Sequence, residues 1–203
     1  IDGLSQSLNF IYPSSDFDSG NIEYRQLYGK LGLSRIMNTT NMMSKNFEYN
    51  EKIKEKYGKI FTKDEIGKYS SKISKIINTI SNSEGITIIY SQYIYGGCVP
   101  IALALEELGM KRFGRDSLFK EPASESIDAI TMMPKSEYIE SKNNRKFIPA
   151  KYAMITGDVR FSPNNKKELK AATDIKNING ETIKVIIISK AGSEGLDFKN
   201  VRQ

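Results

Sequence analysis

The stretch Val185 to Asp197, VIIIS followed by KAGSEGLD, constrains what this chain can fold into more than any other. Four β-branched residues in a row favour an extended strand packed on both faces, as in parallel sheets, where continuous apolar runs replace alternation. Directly behind them come two glycines, Gly192 and Gly195, and two carboxylates, Glu194 and Asp197. Open parallel sheets bind their ligands outside the carboxyl ends of the strands. Glycine in that position lets the backbone approach a ligand closely and adopt a positive φ where the turn demands it. Ser189 and Lys190 set a hydroxyl and a cation at the strand mouth, and both suit a phosphate oxygen. Glu194 and Asp197 only accept hydrogen bonds when ionised, so they fit ribose hydroxyls or an arginine. The competing reading of the same residues is an ordinary strand-to-helix turn, with glycine for geometry and charge for solubility.

Composition narrows the chemistry. A chain of 203 residues with 39% hydrophobic content can bury one substantial core without disulfides, so one compact domain with appended pieces is expected. Its 30 basic and 24 acidic residues leave a net charge of +6, which leans toward a polyanionic partner or serves solubility alone. Histidine is absent, which removes the commonest general base and every Ser-His or Cys-His nucleophile. Cys98 is the single cysteine, so neither a disulfide framework nor a CxxC metal site exists, and a buried structural thiol in an intracellular compartment is expected. No apolar run approaches the roughly 20 residues needed to cross a bilayer, so no membrane partner is expected. Because residue 1 is Ile, the chain reads as an excised or processed piece of a longer polypeptide.

Along the chain, residues 1 to 46 read as irregular or weakly helical, and Asn46 to Lys68 as a solvated helix or linker. The character changes at Ser70. Ile73, Ile76, Ile77 and Ile80 recur at helical spacing and predict a core-facing helix that ends between Ser81 and Gly85. Ile86 to Tyr90 predicts a buried strand, the pattern from Pro100 to Leu108 a helix closed by Gly109, and Tyr152 to Thr156 a second strand. Ser162 and Pro163 read as the N-cap and first position of a Lys-rich helix running to about Lys170, and Thr182 to Ser189 as the last strand. Residues 110 to 150 fit this alternation poorly. A connection that long is a functional insertion or disordered, and it is expected to lie at the edge away from the strand ends.

Three strands thus end in small polar turns: Ser91 and Gln92, Gly157 and Asp158, and Ser189 to Asp197. Carboxyl ends of parallel strands share one edge, so these turns should line one cleft. Taken in order, SKISKIINTI, GITIIYSQYIYGG, ALALEELGM, YAMITGD and KVIIISKAGSEGLDFKNVRQ resemble the second RecA-like lobe of superfamily 2 helicases and translocases. The likeness is greatest to the Swi/Snf-like helicases of nucleocytoplasmic large DNA viruses, of the early transcription factor small subunit and nucleoside triphosphatase I type. It covers about residues 68 to 203, with Ser91 and Gln92 on motif IV, Gly157 on the glycine after the next strand, and Ser189 to Asp197 on motif V. Residues 1 to 67 form a lead-in segment or linker without a motif.

That resemblance implies an α/β fold of the RecA-like, P-loop NTPase type: a three-layer arrangement around a mainly parallel sheet, preceded by a helical or irregular segment. It also implies roles. Gly195, Asp197 and Glu194 would approach the ribose or phosphates of ATP, while Ser91, Gln92, Gly157, Ser189 and Lys190 would meet the nucleic-acid backbone. Lys166, Lys167 and Lys170 could add attraction or merely form a solvated face, and Tyr93 and Tyr95 read as packing ahead of base stacking. No G-x-x-x-x-G-K-[ST] loop occurs and no acidic DExx box follows a strand, so ATP and Mg would be held mainly by a first RecA-like lobe of the same polypeptide. The chain stops before the family's arginine-bearing motif VI, and Arg202 lies too near motif V to be that arginine. This piece alone is therefore expected to be inactive. Expected partners are DNA or RNA, that first lobe and viral transcription machinery, in an intracellular setting: host cytoplasm, viral factory or virion. The rival reading is a non-catalytic nucleic-acid or protein-binding module on the same fold. A Rossmann-like enzyme with its own site is disfavoured by the missing histidines and by the lack of a G-x-G-x-x-G opening.

Overall fold

The computed structural model describes residues 2–16, 19–39, 46–163 and 165–193. In chain order its helices are α1 (Asp2–Ser7), α2 (Gly29–Ile36), α3 (Glu51–Tyr57), α4 (Ser71–Ser81), α5 (Val99–Leu108), α6 (Lys135–Glu140) and α7 (Asn165–Thr173). The strands are β1 (Met37–Thr39), β2 (Phe47–Tyr49), β3 (Thr87–Ser91), β4 (Lys111–Arg112), β5 (Lys151–Ile155) and β6 (Val185–Ser189). β1 and β2 pair antiparallel, whereas β3, β6, β5 and β4 form in that order a wholly parallel sheet.

Alternation along the strands builds the layers. On β6, Val185 and Ile187 enter one core while Ile186 and Ile188 enter another on the opposite face. β5 divides likewise, with Tyr152 and Met154 on the first face and Ala153 and Ile155 on the second. All five residues of β6 are buried, as the apolar run requires, and each fully buried isoleucine contributes about 2 kcal/mol of apolar burial. Helices α4 and α5 cover the first face through Ile73, Ile77, Ile80, Ala102, Leu103 and Leu105, and α7 covers the second through Ala172. The result is an α/β fold of three layers, compatible with the RecA-like architecture.

Helix α4 begins as the sequence predicts, with the Ser70 hydroxyl accepting from the Ile73 N–H at 3.0 Å. α5 starts one residue earlier than expected, behind a wide turn in which Cys98 and Val99 donate to the carbonyls of Tyr93 and Ile94, five residues back. The last strand starts at Val185 rather than Thr182. Buried Asn177 explains the shift, because its side-chain oxygen takes the N–H groups of Thr182 and Ile183 at 2.8 and 2.9 Å, ahead of any ladder.

The N-terminal stretch is not a solvated appendage. Phe10, Tyr12, Leu33, Ile36, Phe47, Tyr49, Ile60, Phe61 and Ile66 belong to the same core cluster as α4 and α5. Phe10 is its hub, with ring centroids 4.5 Å from Tyr12 and 5.1 Å from Phe61. Of residues 46 to 68 only α3 matches the solvated helix expected there. Packing on this second side also explains why α5 is buried from Val99 through Glu106.

Residues 110 to 150 are held by two carboxylates. Asp128 is fully buried, accepts from the N–H groups of Ile130, Thr131 and Ile148 at 2.8–3.0 Å, and pairs with Arg145. Burial alone would raise its pKa, but these donors outweigh it and hold the carboxyl below its ordinary value. The insertion also does not keep to one edge. β4 runs parallel to β5, so residues 113–117 emerge at the carboxyl edge, where the sequence reading had not placed them, before the chain returns to Gly109 and Ala150 at the other end.

Glu106 of α5 ties this return to the sheet. Its carboxylate takes the Leu118 N–H at 2.6 and 2.8 Å, the Phe119 N–H at 3.3 Å and the Tyr152 hydroxyl at 3.1 Å. Burial dominates these bonds and pushes its pKa up to about 7. A carboxyl raised in the folded state stabilises the fold fully below its unfolded pKa and loses that contribution as pH rises through the folded value. Urea unfolding of this chain should therefore show stability falling between about pH 4.5 and about pH 7, by on the order of 3 kcal/mol from this group. Glu106→Gln should flatten that slope, and an unchanged slope would show that the carboxyl titrates normally.

Candidate nucleic-acid interface

Register brings the polar strand ends into one row. Ser91 pairs with Ser189 across β3 and β6, and Ile155 pairs with Ile188 across β5 and β6, so Thr156 lies beside Ser189. With strands about 4.8 Å apart, the turns after β3, β6 and β5 fall within roughly 10 Å of one another. Gln92, Gly157 and Lys190 are all exposed on this edge.

Beneath the row lies a hydrogen-bonded brace. The Ser189 side chain faces inward, 2% exposed, and its hydroxyl donates to the Thr156 carbonyl at 2.6 Å and accepts from the Gly192 N–H at 3.2 Å. Ser189 is therefore turned away from the exposed edge and positions the loop after β6, where the sequence reading had its hydroxyl meeting a phosphate directly. Ser162 is likewise turned inward and does not cap α7, which begins at Asn165. Its hydroxyl donates to Met154 O at 2.8 Å and accepts from the Thr156 N–H at 3.1 Å, folding the 156–162 loop onto the end of β5. Thr156 and Ser162 were missed as site residues, because their partners lie on a strand end that local sequence does not name.

Two glycines permit the fit of the β5 and β6 turns. Gly157 sits at φ +69°, and a Cβ there would meet that of Ala191 at 2.9 Å. A Cβ on Gly192 would run into the Ile155 carbonyl. The turn after β6 is closed by the Ser193 N–H to Ser189 O at 3.0 Å and by the Ser193 hydroxyl to Lys190 O at 2.8 Å. Lys190 projects from that closed turn. Glu194, Gly195 and Asp197 lie outside the described residues.

At the β3 end, the half-buried Ser91 hydroxyl donates to Tyr93 O at 3.1 Å and accepts from the Tyr93 N–H at 3.2 Å, leaving Gln92 at the tip of the turn. A cleft of about 300 Å³ opens beside it, with Ser91, Gln92 and Tyr93 on one wall and Asn9 and Lys72 on the other. Tyr95 packs edge-on to Phe161 at 5.5 Å, with Lys30 over its ring, in agreement with a packing role. Burial pushes the Cys98 thiol up to about 12, so it stays protonated as a structural group. Lys166, Lys167 and Lys170 are exposed on α7, whose inner side carries buried Glu168. Among the described residues no group of three or more His, Cys, Asp or Glu could hold a metal ion, and no helix is long and apolar enough to cross a membrane.

Gly192→Ala should force the β6 turn off the end of β5 and lower stability by about 1–3 kcal/mol, read as a shift in the urea midpoint. An unshifted midpoint would mean that the two turns do not abut. No family model matches the chain. Curated relatives do. The chain is 29% identical over 140 residues to the termination factor NPH-I homolog of an African swine fever virus tick isolate from Malawi, covering 66% of this chain and 20% of that protein. The protein of the same name from a Kenyan pig isolate is 29% identical over 143 residues, with the same coverage. The chain therefore spans about a fifth of the length of the curated relatives it matches. At this low identity, it is similar to part of viral proteins of the NPH-I type.

Proposed function

We propose that this chain is the second RecA-like lobe of an ATP-dependent nucleic-acid helicase or translocase of superfamily 2 that serves viral transcription. The observation that carries the reading is the row of strand ends, where Gln92, Lys190 and Gly157 share one edge of a parallel sheet. The relatives' name, termination factor, supports the link to transcription. In this reading Ser91, Gln92, Gly157 and Lys190 meet the sugar-phosphate backbone, and Ser189 holds the loop that presents Lys190. Backbone contacts grip without regard to sequence, as a translocating protein needs.

Gly195, Asp197 and Glu194 would meet the ribose or phosphates of ATP. Its Mg and most of its contacts would belong to a first RecA-like lobe, and closure of the two lobes would advance the protein along its strand. The setting is intracellular, in host cytoplasm, viral factory or virion.

An NTPase assay of the intact polypeptide with single-stranded and duplex nucleic acids tests the reading, with stimulation by nucleic acid expected. Tight binding without turnover would favour a non-catalytic binding module instead. Asp197→Ala should lower the stimulated turnover at least tenfold while thermal unfolding is unchanged, and full turnover in that variant would remove Asp197 from the ATP site. Lys190→Ala should reduce the slope of log affinity against log salt by about 0.7–0.9, the share of one phosphate contact. The same slope as wild type would make Lys190 an uninvolved surface charge.

A further inference from the structure

The same sheet edge continues past Gly157 onto residues of the insertion. The ladder between β4 and β5 extends through the Phe113 N–H to Tyr152 O at 2.9 Å, which brings residues 113–117 alongside the loop 158–163. Between them lies an open cleft of about 410 Å³ walled by Arg112, Arg115 and Arg160, with Asp116 beside them. Two chain segments more than forty residues apart thus deliver three guanidinium groups to one place.

Each guanidinium is held in place. Arg112 donates to Phe161 O, Arg115 donates through Nε and Nη2 to Glu168 at 3.0 and 2.9 Å, and Arg160 donates through Nε and Nη2 to Asp158 at 2.6–3.1 Å. Arg115 and Arg160 are each gripped through Nε and Nη2, which fixes the plane of the guanidinium. Asp158, Glu168 and Asp116 offset the positive charge, so long-range attraction is weak and recognition rests on fixed planar donors. Such forks match phosphate oxygens, and a side chain already immobilised loses little entropy on meeting them. Arg112 pairs with Tyr152 near the start of β5, and its side chain reaches the loop after that strand at Phe161 O, so the cleft lies beside the loop that follows Gly157. A backbone that meets Gly157 has this cleft as its neighbour, because Val159, Arg160 and Phe161 of the same loop wall it.

We propose that Arg112, Arg115 and Arg160 form a phosphate-backbone contact in which the insertion extends the nucleic-acid track beyond Gly157. This rests on the reading of the chain as a nucleic-acid-gripping lobe. Arg115 also neutralises buried Glu168, so the test leaves it in place.

In the intact polypeptide, affinity for a single-stranded and a duplex oligonucleotide is measured across salt for wild type, Arg112→Gln/Arg160→Gln and the double Lys variant. The Gln pair should flatten the salt slope by about 1.4–1.8, two contacts' worth, while the Lys pair keeps the slope and loses affinity a few-fold. Should the Gln pair fail to fold, Arg160→Gln alone should flatten the slope by about 0.7–0.9. Unchanged slope and affinity in the Gln variants overturn the proposal. Loss of polyglutamate binding with nucleic-acid binding intact also overturns it, and assigns the cleft to an acidic protein. Lys190→Ala run alongside separates the two readings: a flattened slope there with none in the arginine variants removes only this contact, whereas a wild type that binds no nucleic acid removes both.

Discussion

Burial of β6 on both faces is the constraint from which the rest of the molecule follows. A strand with apolar side chains above and below must lie inside the sheet, with neighbours on either side and helices over both faces. β3 and β5 are those neighbours, and the parallel ladder aligns their carboxyl ends with its own. Gln92, Lys190 and Gly157 owe their common edge to that pairing, and the turns after β5 and β6 also abut, with Gly157 against Ala191. That edge follows from the run Val185–Ile188, which is buried on both faces of the sheet.

Elements whose signal is periodic were legible before any coordinates. Ile73, Ile77 and Ile80 announced α4, and the apolar runs announced β3, β5 and β6 to within a few residues. What was not legible depends on partners distant in sequence. Glu106 meets Leu118 and Tyr152, 12 and 46 residues away, and Asp128 meets Ile148, 20 away. Nothing in the local pattern of residues 110 to 150 announces those bonds. The aromatics of the first 67 residues are separated by lysines and glutamates, so they show no period, yet Phe10 and Phe61 meet in the core. At the candidate site the sequence puts Gln92, Gly157 and Lys190 in turns, where they are exposed, but does not show which hydroxyls face inward. Ser162 next to Pro163 looks like a cap, and the stronger claim of the Met154 carbonyl cannot be seen from the neighbours.

Buried polar groups specify the irregular parts of this fold. Asn177, Asp128 and Glu106 each satisfy several backbone N–H groups that no helix or strand serves, and Lys184, nearly inaccessible, donates to Ser83 O at 2.8 Å. Burial lowers the Lys184 pKa, as expected of an ammonium with a carbonyl in place of water. An apolar residue in any of these places would leave backbone donors or acceptors stranded, at about 1–3 kcal/mol each. Loops of this kind are ordered by what they cannot leave unpaired.

The brace of Ser189, Thr156 and Gly192 has a mechanical consequence. Because the turn after β6 is pinned to the end of β5 by a hydroxyl and seated against the Ile155 carbonyl, neither lip can travel without carrying the other. A pull on Lys190 is delivered to Gly157, and through Ser162 to the rest of the loop that follows β5, as displacement of a single stiff yoke.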